Sequence, residues 1–245
     1  LIMVDTANPN AQINIKSDNP NEPVKKVQED DNQVAVGNEG WNDVATAEIG
    51  QTVPFELTYE VTDMNGFDTY YWAVHDKMSE GLTFHDDKEE ISIVVSQNGK
   101  TYTLDDTEYN VITSGDELDT GDTFMLEVKD LKTIIDREFP NAPDPGDYPG
   151  QDITGYHDYS DMVVTVNYVA TVNERADTGL PGNENSFRIE YSQDADVEGE
   201  GETSNTPWDT VVVFTFKLDG LKTNDHNIAL EGAKFRLYSD EKCTQ

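Results

Sequence analysis

The chain has 245 residues, which is enough for one large or two small domains with a hydrophobic core. Its 50 Asp and Glu residues against 16 Lys and Arg residues give a formal net charge of -34, which would repel nucleic acids and anionic membrane surfaces. One cysteine, Cys243, excludes a disulfide or a cysteine metal cluster within the chain. No apolar run reaches the roughly 18 residues of a membrane span, so we expect none in this chain.

Alternating apolar and polar residues predict β-strands along most of the chain. Val53, Phe55, Leu57 and Tyr59 alternate with polar residues, and an acid, Asp76, continues the apolar face of the next predicted strand. The predicted strands are 53–61, 70–76, 91–96, 101–104, 123–128, 163–172, 186–191 and 211–218. One short helix is predicted at 131–138, before Phe139-Pro140. This pattern predicts an all-β sandwich.

Two segments read as surface loops: 140–161, which is rich in Pro, Gly, Asp and Tyr, and the acidic stretch 194–206. We expect the end of a preceding domain or a linker at 1–20, the sandwich at 21–209, and the first strands of an incomplete second domain at 210–245.

The sequence contains no recognisable enzyme motif. Its four histidines, His75, His85, His157 and His226, lack metal-ligand spacing and a nucleophilic partner. Acidic loops could hold calcium, but the twelve-residue EF-hand pattern is absent. We therefore expect no catalytic turnover, no cofactor and no metal site.

Several separated segments resemble the isopeptide-forming domains of Gram-positive pilins and collagen adhesins. They are IKSDNP at 15–20, VKKV at 24–27, IGQTVPFELTY at 49–59, VHDKMSEGLTF at 74–84 and GNENSFRIEYS at 182–192. The resemblance implies an immunoglobulin-like, CnaA-like β-sandwich whose lysine and asparagine join spontaneously in an amide bond.

By this resemblance Lys26 is the nucleophile, Asp76 the catalytic acid and Asn185 the electrophile. Strand alternation independently places Lys26 with Val24, Asp76 with Trp72 and Val74, and Asn185 with Phe187, each on one face. Burial would make both the amine and the acid neutral, and a protonated Asp76 would hydrogen-bond the Asn185 carbonyl and pass protons to the departing ammonia.

Alternatives remain open. Lys25 is the second candidate for the nucleophile, Asn183 for the electrophile, and Asp63 or Glu60 for the acid, although Glu60 alternates onto the wet face of its strand. Lys25 and Lys26 could also be ordinary charges of an edge strand, or one of them could form a plain buried salt bridge.

The C-terminal segment from Val213 onward resembles the first strands of a CnaB-like, prealbumin-type domain. In that family the lysine at the position of Lys217 is cross-linked, but the sequence holds neither partner, so we expect Lys217 to be unlinked. Lys16 is a candidate acceptor for sortase, although it lacks the Tyr-Pro-Lys context of the family.

The resemblance implies a structural subunit of an extracellular, cell-wall-anchored pilus or fimbria that mediates cell adhesion through the assembled fibre. Its partners would be neighbouring pilin subunits and sortase. The alternative is an adhesin module that binds a host extracellular protein or glycan through the loop 144–161, with Tyr148, Tyr156 and Tyr159 as contacts.

Overall fold

The computed structural model describes residues 22–30, 40–193, 201–216, 220–232, 234 and 236. Predictions that concern Lys16, Lys217 and Cys243 lie outside these residues. The described chain divides into two compact units, one ending at Thr215 and the other beginning at Phe216.

The first unit contains fourteen described strands and one α-helix. The strands are β1 (Val24–Glu29), β2 (Gly40–Asn42), β3 (Val44–Thr46), β4 (Thr52–Glu60), β5 (Trp72–Met78), β6 (Leu82–Phe84), β7 (Ser92–Gln97), β8 (Lys100–Thr103), β9 (Asn110–Ile112), β10 (Phe124–Val128), β11 (Val163–Val172), β12 (Asn183–Ser192), β13 (Thr203–Asn205) and β14 (Asp209–Phe214). The helix is α1 (Leu131–Glu138), and short 3-10 turns lie at Lys88–Glu90 and Pro145–Asp147.

The strands form two seven-stranded sheets. The first sheet has the order β2-β1-β4-β11-β7-β8, with β6 also paired to β11. The second has the order β3-β14-β12-β5-β10-β9, with β13 also paired to β12. The described strand pairs are antiparallel except for β3 with β14, which is parallel. The predicted all-β sandwich is confirmed.

Alternating side chains explain how the sheets pack together. In β4 the residues Val53, Phe55, Leu57 and Tyr59 are buried, whereas the residues between them are partly exposed. In β11 every second residue from Val164 to Val172 is buried in the same way. The inward faces of the two sheets thus form one apolar core.

The predicted helix is confirmed at its predicted bounds. Asp130 caps its N-terminus by accepting a hydrogen bond from the backbone N–H of Thr133, and Leu131, Ile134 and Ile135 bury its apolar side. With eight residues, α1 is far too short to span a membrane, and no other described helix is long and apolar enough to do so.

Residues 211–214 of the strand predicted at 211–218 lie in β14 and belong to the sandwich. β14 pairs with β12 and β3, so the prediction that a new domain opens after Asp209 is wrong for residues 210–214. The boundary between units lies after Thr215. In the second unit the described residues include one antiparallel bridge, between Thr223 and Ala229, and the CnaB-like resemblance of this unit stays a prediction.

Candidate functional site

Four polar side chains meet in the core between the two sheets. Lys25, Asp76 and Asn185 are fully buried, and Tyr168 is 1% exposed. Lys25 lies on β1 and Tyr168 on β11, both in the first sheet, whereas Asp76 lies on β5 and Asn185 on β12, both in the second. The cluster therefore links the inner faces of the two sheets.

The lysine at this point is Lys25. In β1 the inward residues are Lys25, Val27 and Glu29, while Val24 is 40% exposed. The side chain of Lys26 points outward, is 35% exposed and forms an ion pair with Asp43 at 2.5 Å. The prediction that Lys26 faces the core is wrong. Lys26 shares a strand face with Val24, and this is the outer face, whereas Lys25 shares the inner face with Val27.

The amine of Lys25 contacts both predicted partners. Its Nζ lies 2.6 Å from Oδ2 of Asp76 and 2.6 Å from Oδ1 of Asn185. The register between β5 and β12 sets Asp76 opposite Phe187 and Asn185 opposite Met78, so the two side chains project from neighbouring strands into one space. Asp76 and Asn185 thus meet at a lysine as predicted, but this lysine is Lys25 and not the predicted Lys26.

Tyr168 is a member of the cluster that the sequence analysis missed. Its hydroxyl donates a hydrogen bond to Oδ2 of Asp76 at 2.6 Å and accepts one from Nδ2 of Asn185 at 3.0 Å. It thereby bridges the two side chains that were expected to bond directly. The available signal was alternation in 163–172, which puts one hydroxyl among inward Val and Ala residues.

Burial controls the charge of this cluster. Desolvation lowers the pKa of Lys25 to about 8, against the opposing attraction of Asp76. Desolvation likewise raises the pKa of Asp76, although Lys25 acts in the opposite direction. Oδ1 of Asp76 is buried and has no hydrogen-bond partner among the described residues, which further disfavours the ionised carboxylate.

Aromatic rings enclose the amine. Nζ of Lys25 lies 5.6 Å from the ring centres of Phe55 and Phe187 and 5.5 Å from that of Tyr168. These rings exclude water and fix the position of the amine. A neutral amine held against an amide carbonyl, with a carboxyl group alongside, has the groups needed for attack on that carbonyl.

The other candidates for the cross-link lie elsewhere. Asn183 is buried, but its side chain is used locally: Oδ1 accepts from the backbone N–H of Asp177 at 2.9 Å and Nδ2 donates to the carbonyl of Val213 at 3.1 Å. Asp63 accepts from the hydroxyl of Tyr148 at 2.6 Å, and Glu60 is exposed at the end of β4.

One described group presents several atoms that could ligate a metal. The side chains of His75, Asp119 and Asp122 each offer one such atom within 4.8 Å of the others. These atoms already have protein partners: Nδ1 of His75 lies 2.8 Å from Asp122, and Asp119 pairs with Arg188 at 2.5 Å. We interpret the group as an ion-pair network on the outer face of the second sheet.

The tyrosines of the loop 144–161 are largely directed inward. Tyr148 is 9% and Tyr159 is 5% exposed, and the hydroxyl of Tyr159 donates to Asp136 at 2.5 Å. Tyr156 packs edge-on against Tyr148. Beside them lies a cavity of about 470 Å³ with mainly acidic polar walls, which include Asp63, Asp147 and Asp158.

Solved structures similar to this chain include pilins of Streptococcus species and a collagen-binding subdomain of an Enterococcus faecalis surface protein. A 35 kDa C-terminal fragment of the major pilin GBS80 of Streptococcus agalactiae aligns at 21% identity and a TM-score of 0.52, covering 81% of this chain and 57% of that one. The T6 backbone pilin of Streptococcus pyogenes aligns at 17% identity and a TM-score of 0.44, covering 79% and 36%. The collagen-binding subdomain ACE19 of the Enterococcus faecalis surface protein ACE aligns at 16% identity and a TM-score of 0.36, covering 70% of this chain and 93% of that one.

The likeness to the GBS80 fragment shows that the first unit has a pilin-like β-sandwich fold. The chain spans a little over half of that fragment's length. No protein-family model matches the chain, and no curated protein sequence is significantly similar to it.

Proposed function

We propose that this chain is a structural subunit of a Gram-positive surface pilus or fimbria, stabilised by an autocatalytic amide bond between Lys25 and Asn185. The observation that carries the proposal is the contact of Lys25 Nζ with both Asp76 and Asn185, fully buried inside a sandwich of pilin-like fold. Asp76 acts as the acid and base of a single turnover.

The reaction joins Nζ of Lys25 to Cγ of Asn185 and releases ammonia. Neutral Lys25 attacks the amide carbon, the C–N bond to Nδ2 breaks, and one proton moves from Nζ to the leaving nitrogen. The fold supplies the proximity, because strands of both sheets hold the reactants in contact within a dry core.

The location of this bond suits a load-bearing role. Lys25 and Asn185 lie 160 positions apart in the chain and on different sheets. A tensile load entering before β1 would pass through the amide to β12 and would bypass all the strands between them. The sandwich would then carry tension without unravelling.

The proposal extends to assembly and location. A pilus subunit would be extracellular and cell-wall-anchored, would be joined to neighbouring subunits by sortase, and would support cell adhesion through the fibre. Lys16 stays a candidate acceptor lysine for that joining step.

Single-molecule stretching tests the load-bearing role. With handles attached at both chain ends, the parent should never release the segment between Lys25 and Asn185, whereas Lys25→Ala should release it in a step of about 550 Å. Lys26→Ala is the matched control and should behave as the parent. Release of the full segment by the parent would contradict the proposal.

The alternative, an adhesin module, is supported by the cavity beside Tyr148 and Tyr159. It is less well supported than the pilus role, since these tyrosine hydroxyls already bond to Asp63 and Asp136 within the protein. Binding to a matrix protein or a glycan array that is lost on replacing residues 144–158 with a Gly/Ser linker, while the parent's stretching behaviour is kept, would favour it.

A further inference from the structure

The leaving nitrogen of the proposed reaction, Nδ2 of Asn185, forms no hydrogen bond with the carboxyl group of Asp76 in the described structure. In the described part of the chain, Nδ2 of Asn185 donates its hydrogen bond to Tyr168 at 3.0 Å, and Oδ1 of Asn185 accepts from Lys25. Oδ2 of Asp76 contacts Lys25 and Tyr168, and Oδ1 has no hydrogen-bond partner there. Asp76 is thus placed to take a proton from the amine but not to hand one to the departing group.

Replacing the nitrogen of the Asn185 amide by that of Lys25 requires a proton transfer to the departing nitrogen. The amine loses a proton as its nitrogen becomes an amide, and the departing nitrogen must gain one because an amide anion is far too basic to leave. The hydroxyl of Tyr168 is hydrogen-bonded to the carboxyl group on one side and to the leaving nitrogen on the other. A hydroxyl can accept and donate at once, as such a transfer needs.

We propose that Tyr168 is a further catalytic residue of the cross-linking reaction, relaying a proton from Asp76 to the nitrogen that leaves Asn185. The inference rests on the proposed Lys25–Asn185 bond. Nζ attacks Cγ; the neutral Asp76 passes its proton to Oη of Tyr168 as the phenol proton passes to Nδ2; the carboxylate left on Asp76 takes a proton from Nζ; the C–N bond breaks and ammonia departs. Asp76 and Tyr168 end in the protonation states in which they began.

The surroundings of Tyr168 suit this role. Its ring stacks on Phe55 at 5.4 Å between centroids and meets Phe124 edge-on at 5.1 Å, so the hydroxyl is held in place. Burial, together with the charge of Asp76, holds the pKa of the phenol well above its usual value of 10.0. The phenol therefore keeps its proton until another arrives, which prevents a trapped phenolate.

A purely structural role for the hydroxyl makes a different prediction. If the hydroxyl of Tyr168 only filled space and accepted the hydrogen bond of Asn185, removing it would change the stability of the fold without changing the rate of the chemical step. Tyr159 provides a matched control, because it is also a buried tyrosine whose hydroxyl donates to a carboxylate, Asp136, on a side of the molecule that the reaction does not use.

The test follows the cross-linking rate of the whole chain after a pulse of cell-free synthesis. Samples are quenched in acid at intervals, and denatured intact mass gives the fraction that has lost ammonia. Tyr168→Phe should slow the loss by roughly 10²-fold, the scale of general acid catalysis, while Tyr159→Phe should react at the parent's rate. Circular dichroism at each time point establishes that the compared chains are folded.

If Tyr168→Phe does not fold, 3-fluorotyrosine placed at 168 keeps the hydroxyl and the ring while making the phenol more acidic. The relay then predicts a changed rate for the label at 168 and the parent's rate for the label at 159. Equal rates for folded Tyr168→Phe and the parent, or for the two labels, would overturn the relay and leave the cross-link intact. A parent chain that never loses ammonia would overturn the cross-link itself, and the relay with it.

Discussion

At the residue scale, the reactive state of Lys25 and Asp76 is defined by how many protons the pair holds. In the attacking form the amine of Lys25 is neutral and Asp76 is a neutral acid. The pair then holds one proton more than when the amine is neutral and Asp76 is ionised. This form is an isomer of the charged ion pair, and both are present between the two apparent pKa values of the pair. Titration therefore controls the rate at both ends of the pH range.

The pH dependence of cross-linking should be bell-shaped. Above about pH 8, where Lys25 deprotonates and the pair loses its shared proton, the rate should fall tenfold per pH unit. At acid pH it should fall again as the pair gains a second proton, at a pH above the usual range of an aspartic acid because burial raises the pKa of Asp76. Quenched samples of newly made chain at different pH values give the profile; a rate that keeps rising beyond pH 9 would contradict this assignment.

A second titrating group lies on the outer face. His75 is buried, and although desolvation lowers its pKa, hydrogen bonds to Glu190 and Asp122, both at 2.8 Å, raise the pKa above the usual value of 6.5. A raised folded-state pKa means that the charged histidine stabilises the fold fully below pH 6.5. This contribution is lost as the pH rises through the raised value.

Replacing His75 with Gln should therefore destabilise the protein more at acid than at alkaline pH. We expect a loss of about 2 kcal/mol at pH 6, the scale of a hydrogen bond to a charged group, and a smaller loss at pH 9. Denaturant unfolding at the two pH values measures it in the uncross-linked Asn185→Ala background. His85→Gln, at a more exposed position, is the control and should show little change.

The limits of sequence-based reasoning are clearest at individual positions. Asp76 and Asn185 could be predicted because each continues an apolar face of its strand. The lysine could not, since Val24 and Val27 flank the Lys25-Lys26 pair on opposite faces and alternation alone allows either one inward. Tyr168 was missed because tyrosine is a normal core residue, and its partners are fixed by the approach of the other sheet.

At the element scale, the start of β12 depends on a close approach to β14. Gly182 has a φ of +89°, and a Cβ there would lie 2.6 Å from Val212 Cγ1 and 2.8 Å from the ring of Phe214. Only glycine fits both the backbone conformation and the space. This packing holds β12, and with it Asn185, against β14.

Gly182→Ala should therefore destabilise the fold by more than backbone strain alone. Gly50, with a φ of +92° and open space around its Cβ position, is the matched control, where Ala should cost about 1 kcal/mol of strain. At Gly182 a further roughly 1–3 kcal/mol is expected from overpacking. Denaturant unfolding measures the free energy of unfolding of both variants. Equal losses of stability would show that the packing against β14 has room for the added methyl group.

The longer elements could be predicted from the sequence and the shorter ones could not. The prediction for β11 has the observed bounds, because ten residues of strict alternation leave little freedom. Three-residue strands such as β3 and β6 were missed, since they are too short to show alternation and their partners, β14 and β11, lie far along the chain. The same cause explains why β14 was assigned to a second domain: its partner β3 lies more than 160 residues earlier.

At the scale of the whole molecule, one covalent bond between the sheets should dominate stability. Treated as a loop closure over 160 positions, it would stabilise the folded state by about 5 kcal/mol through the entropy of the unfolded chain. This is comparable to the total stability of many domains.

Asn185→Ala should accordingly unfold at a much lower denaturant concentration than the parent. This variant keeps the ion pair of Lys25 with Asp76, so most of the change reports the lost bond. Lys26→Ala serves as the control and should stay near the parent. Urea unfolding followed by tryptophan fluorescence measures both, and a parent no more stable than Asn185→Ala would be inconsistent with a closed loop.

The mass of the intact chain tests the central claim most directly. Under denaturing conditions the parent should be lighter than its sequence by one ammonia, and digestion should yield one branched peptide joining Lys25 to Asn185. Lys25→Ala, Asp76→Ala and Asn185→Ala should each have the full calculated mass, while Lys26→Ala should still lack one ammonia. A parent of full mass, or a bond lost in Lys26→Ala and kept in Lys25→Ala, would contradict the account.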